Sequence, residues 1–179
     1  MHIRRLRSAT AILASALILS NAAPAAEVSE IRAGAARVKI TPTAIDMPPA
    51  YTKVNDDIYL RAAIIESGKK RAALVVIDAP TISAPVHDQL KQQIARTAKV
   101  PIDNVMLGTT HTHNSIRIDP SDTGILLPGS PKFVKQVQQA MLEALDAAEE
   151  NMKPARFGVG KGKAYLVTSR NQWSHELGR

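Results

Sequence analysis

The chain has no cysteine, so no disulfide staples it, and any metal it holds must be bound through His, Asp, Glu or Tyr. Aromatic residues make up only 3% of the sequence, which leaves Ile, Leu, Val and Ala to build the core. The apolar run near the start, residues 9–20, is short of the roughly 20 residues that a membrane-spanning helix needs. Lysines and arginines are scattered, as in "GKKR" (68–71) and "KGK" (161–163), without the interleaved aromatics of a nucleic-acid platform. Nucleic acid is therefore not an expected partner. What remains is a hydrophobic fraction of 45% in 179 residues, enough for one domain with a sizeable core.

The first 26 residues have the make-up of an export signal. Arg4, Arg5 and Arg7 precede the apolar run "ATAILASALILS", and the small-residue stretch "NAAPAA" offers a cleavage site after Ala25 or Ala26. Residues 1–26 are thus expected to be removed, leaving 27–179 in the periplasm or the medium. Three arginines leave with the signal, so the formal charge falls from +7 to +4 and much of the basicity is not a binding surface.

Further along, "AGAARVKITPT" (33–43) reads as a strand that stops at Pro42, and 44–57 as a loop. "IYLRAAIIES" (58–67) and "RAALVVIDAP" (71–80) are apolar, β-branched runs joined by "GKK", a hairpin signature. In 83–100, Val86, Leu90, Ile94 and Ala98 recur every four residues, with Ser83 placed to cap a helix and Pro85 suited to its first turn. "PIDNVMLGTT" (101–110) supplies the next strand, making a βαβ unit whose two strands run parallel. Residues 114–130 read as a loop, about 131–150 as a second helix, and 155–173 as one or two strands. The expected fold class is α/β, a mixed sheet with a βαβ unit flanked by helices, forming an incomplete domain.

The chemistry concentrates in "GTTHTHNS" (108–115). If the strand continues through them, His111 and His113 point to one side, at the carboxyl end of the βαβ unit where α/β sheets bind ligands. Two such imidazoles can hold zinc, or one can hold metal while the other works as acid, base or donor. They can equally be loop histidines bonded to nearby Thr or Asn. Asp78, ending the preceding strand, is placed either to orient a histidine or to cap a turn before Pro80. His87, beside Asp88 on the first helix, reads as structural.

These segments, taken in order, resemble the neutral/alkaline, non-lysosomal ceramidase family. "AGAARVKITP" is similar to its opening A-G-x-A-x-x-D-I-T-P, "YLRAAIIE" to its Y-A-R-A segment, and "RAALVVIDAP" to the strand that follows. "VPIDNVMLGTTHTHNS" resembles D-N-V-hydrophobic-(A/G)-T-H-T-H-S-G-P most specifically, and "TSRNQW" resembles S-R-N-R. The resemblance spans roughly residues 31–173 and implies a zinc amidase that splits ceramide or a related N-acyl lipid. By it, His111 is the zinc ligand and His113 stands beside the metal to stabilise or protonate the amide. The metal polarises the carbonyl and activates water without any Ser or Cys nucleophile.

The departures carry their own expectations. Asn114-Ser115 replaces Ser-Gly after the second histidine, Lys39 stands where the opening strand usually has Asp, and Gln172 stands where S-R-N-R ends in an active-site Arg. Arg170 matches the first Arg of that segment; with Asp78 and Gln172 it is a candidate for supporting the site or the substrate. The family's other zinc ligands, a second His, a Glu and a Tyr, lie further downstream than residue 179. The resemblance thus implies the N-terminal portion of a longer catalytic domain, completed by a C-terminal half or a homo-oligomer, and an isolated chain that does not hydrolyse. Two non-enzymatic readings stay open: a truncated domain with weak metal binding, and a periplasmic binding module.

Overall fold

The structure is a computed structural model that describes residues 30–43, 47–48, 51–121 and 129–165. The expected signal, Arg170, Gln172 and the S-R-N-R-like segment fall outside these residues.

Five strands and two helices are present among the described residues. In chain order they are β1 (Ile31–Lys39), β2 (Tyr59–Ser67), β3 (Lys70–Ile77), α1 (Ala84–Thr97), β4 (Val105–Thr109), α2 (Pro131–Glu150) and β5 (Lys153–Ala155). The sheet order is β4-β3-β2-β1-β5, with β3 and β4 parallel and the other pairs antiparallel. The β2–β3 hairpin forms where the two apolar runs predict it, and Gly68 supplies the left-handed turn residue at φ 56°. The β3–α1–β4 unit is likewise as expected, so both of its strands end at one edge of the sheet.

Both helices lie on the same face. α1 buries Val86, Leu90 and Ile94, the residues its four-residue spacing singles out. α2 buries a broader stripe that includes Phe133, Val137, Met141, Leu145 and Ala148, against β1 and β2. Gly34 permits this approach, since a Cβ there would lie 2.0 Å from the Ala148 carbonyl oxygen. Arg71 on β3 ties the hairpin to α2 by pairing with both Glu66 and Glu149.

Three expectations need correction. Ser83 does not cap α1 with its side chain; its backbone carbonyl accepts from the His87 N–H, while Pro85 takes the first turn as expected. In contrast, Ser130 does cap α2, its Oγ accepting from the Phe133 N–H at 3.3 Å. Of the one or two strands expected over 155–173, residues 156–165 form none and 166–173 lie outside the described residues; a strand of three residues, 153–155, forms at the boundary instead. Its partner is the start of β1, so its position depends on distant pairing and not on the apolar pattern of 157–167. Finally, β4 ends at Thr109 and does not continue through the histidines.

Candidate functional site

The carboxyl ends of β3 and β4 lie side by side, and the site grows from the two loops that leave them. The Thr110 N–H donates to the Ile77 carbonyl at 3.0 Å, one last rung of the parallel ladder. His111 then takes a left-handed conformation, φ 60°, which breaks the strand's alternation. This turn brings the ring back over the end of β3, where Nδ1–H donates to the Pro80 carbonyl oxygen at 2.7 Å. The Thr109 hydroxyl shares that acceptor at 3.4 Å. With its proton on Nδ1, His111 presents the lone pair of Nε2 outward.

His113 meets that lone pair. The two Nε2 atoms are 3.3 Å apart, and the rings sit edge to face with centroids 4.8 Å apart and planes at 80°. The histidines are therefore brought together as the sequence suggests, but by a turn and not by strand alternation. Two nitrogens each about 2.05 Å from a tetrahedral zinc would be about 3.3 Å apart, so the spacing also fits one edge of such a site. Among the described residues, no group of three His, Asp or Glu side chains completes a ligand set.

Asp78 is close by, yet its carboxylate faces neither histidine. It accepts from the Tyr59 N–H and from Arg61, both at 2.9 Å. Its contribution to the histidine loop is through the backbone, where its carbonyl accepts from the Ser115 hydroxyl at 2.8 Å. Ser115 is the only buried polar residue recorded among the described residues, at 4% exposure. Its own carbonyl accepts from the Tyr51 hydroxyl at 2.7 Å, so the loop after His113 is held from both sides. Burial pushes the Tyr51 hydroxyl pKa above its ordinary value.

Between these parts, a groove of about 510 Å³ opens beside His113, with Thr41, Met47, Tyr51, Ile58 and Asn114 among its walls. Sequence reasoning missed Pro80, Tyr51 and Ser115 as parts of the site. Pro80 acts only through a main-chain oxygen, which no side-chain pattern reveals. Tyr51 sits in a stretch without periodicity, while Ser115 was visible only as a departure from a motif.

No protein-family model matches the chain, and no curated protein matches it. Solved structures do, two ceramidases among them. Neutral ceramidase from Pseudomonas aeruginosa aligns with a TM-score of 0.54 at 22% identity, over 70% of this chain and 22% of that one. A ceramidase complexed with C2 aligns with a TM-score of 0.55 at 22% identity, again over 70% of this chain and 22% of that one. The chain thus spans about a fifth of the length of either protein, and at this identity the likeness is one of fold. The chain carries the fold of a part of neutral ceramidase.

Proposed function

We propose that the chain is a portion of a zinc-dependent amidohydrolase of the neutral-ceramidase type. Its substrate would be the amide of ceramide or a related N-acyl lipid, met after export to the periplasm or the medium. The observation that carries this reading is the His111–His113 pair, one ring fixed by Pro80 through Nδ1 so that its Nε2 carries the lone pair, and the second ring's Nε2 against it. A backbone carbonyl that accepts from the far nitrogen is the usual support of a metal-binding imidazole, because it sets the tautomer and raises basicity.

In this reading His111 would hold zinc through Nε2. The metal, when bound, would supply Lewis acidity toward the amide carbonyl and lower the pKa of water. His113 carries its proton on Nε2, beside the groove, and delivers it to the amide nitrogen as the bond breaks. Tyr51 and Ser115 hold the backbone that carries His113, while Met47 and Ile58 give the groove apolar wall for an acyl chain. With His111 the one ligand assigned here and the rest of a ligand set to come from elsewhere, zinc affinity is the informative readout, and ceramide hydrolysis by the chain alone is not expected.

The test is calorimetric titration of the purified chain with zinc. The reading requires binding that His111→Ala abolishes and His113→Ala largely keeps. Loss in both variants would make His113 a ligand as well. No binding by the unsubstituted chain above a sample with both histidines replaced would overturn the reading.

A further inference from the structure

His113 is exposed, so packing does not hold its ring against His111. The place of the ring is set by the two ends of a short span. At one end, His111 is fixed on the Pro80 carbonyl through Nδ1. At the other, just past His113, the chain turns inward at Ser115 and Ile116, which are 4% and 3% exposed. Burial of Ile116 is an apolar contact without direction, so it draws the chain in and leaves its rotation open. The Ser115 hydroxyl is directional, and it donates to the Asp78 carbonyl at 2.8 Å.

The acceptor is itself held in place. The Asp78 N–H donates to the Tyr59 carbonyl, and the Tyr59 N–H donates back to the Asp78 carboxylate, both at 2.9 Å. Arg61 donates to the other carboxylate oxygen, also at 2.9 Å. The Asp78 carbonyl is therefore a fixed point at the edge of the sheet. Whatever bonds to it inherits the position of β2 and β3.

We propose that Ser115 is a positioning residue for His113. Its hydroxyl ties the segment that carries the histidine to Asp78, and so keeps the His113 Nε2 against the Nε2 of His111, 3.3 Å away. Asp78 thereby orients a histidine through its main-chain oxygen, while its carboxylate serves to hold Asp78 itself. The residue type at 115 decides the matter. The motif that this segment resembles has glycine there, which has no side chain to donate, so the anchor is a property of this chain. The inference rests on the proposed role of His113 as proton donor, because that role requires Nε2 to be aimed. The positioning itself concerns two rings and is read without metal or substrate.

Nitrogen-15 correlation spectra of the imidazoles test this, taken on the full, metal-free chain with both rings neutral. In the wild type, His111 should show the Nδ1–H tautomer and His113 the Nε2–H tautomer, each with two well-separated nitrogen signals. In Ser115→Ala the two His113 signals should converge, as the released ring mixes its tautomers. The His111 signals should stay apart, because the bond to Pro80 does not involve Ser115. His111→Ala removes the partner ring and supplies the reference for a released His113. Ser115→Gly removes the same hydroxyl and should behave as the alanine variant does.

Separated His113 signals in both Ser115 variants would overturn the proposal and leave the loop to Ile116 and the Tyr51 bond. Convergence at both histidines together, or loss of cooperative unfolding in both variants, would make the hydroxyl a support of the fold at large and overturn it equally. Because no zinc enters this experiment, its outcome and that of the zinc titration are independent, and either reading can fail alone.

Discussion

At the scale of single residues, His111 is held in a conformation that costs a non-glycine residue about 1–2 kcal/mol. Substitution can separate that strain from the ring. His111→Ala removes the imidazole and keeps the strain, whereas His111→Gly removes both. The glycine variant should therefore be about 1 kcal/mol more stable than the alanine variant in urea unfolding. Equal stabilities would show that the turn relaxes once the ring is gone.

Tyr51 supplies a pH dependence at the same scale. Its hydroxyl pKa is raised in the folded chain, so the folded state holds that proton more tightly than the unfolded state does. The associated stability is present below the ordinary value of 10.0 and is lost as pH rises past it. Tyr51→Phe should cost about 1 kcal/mol near neutrality, since the Ser115 carbonyl loses its donor, and its stability should then fall less above pH 10 than the wild type's. Urea midpoints of both proteins at neutral and alkaline pH are the measurement. None of this was legible in the sequence. The left-handed turn at 111 and the Tyr51 bond both depend on partners more than thirty residues away.

At the scale of elements, most of the structure was legible, because its causes are local. The β2–β3 hairpin follows from two apolar runs and a glycine, and α2 follows from a stripe of apolar residues begun by Ser130 and Pro131. What failed was non-local. β5 is set by pairing with β1, and the residues Lys-Pro-Ala carry no strand signal of their own.

The end of α1 supplies an element-scale prediction. The Val100 N–H reaches the Ala95 carbonyl at 3.0 Å and the Lys99 N–H reaches the Arg96 carbonyl at 3.3 Å, with Lys99 at φ 53°. This is a Schellman turn with lysine where glycine is favoured. Lys99→Gly should raise stability by about 1 kcal/mol, seen as a higher urea midpoint with an unchanged slope. A decrease would mean that the lysine side chain contributes more than its backbone costs.

For the molecule as a whole, the scarcity of aromatics fixes where stability is concentrated. Phe133, one of two phenylalanines in the chain, is 1% exposed and heads the fully buried side chains by volume. Phe133→Ala should cost about 3–5 kcal/mol, a large part of the 5–15 kcal/mol that separates a typical domain from its unfolded state. Thermal unfolding should show either a much lower midpoint or no cooperative transition at all. The fold class was legible at this scale from the order of strands and helices. That both helices lie on one face was not, because the outward positions of β2 and β3 are apolar too and the sequence reads as buried on both sides.

The proton that fixes His111 is answered by the main chain of Pro80 and by no side chain. Any residue at position 80 presents the same oxygen, so mutational drift there leaves the imidazole tautomer unchanged, provided the path of the chain is kept. Insertions and deletions are what this arrangement does not tolerate. One residue added between Ile77 and Pro80 would shift the acceptor along the chain while the histidine stayed where β4 puts it.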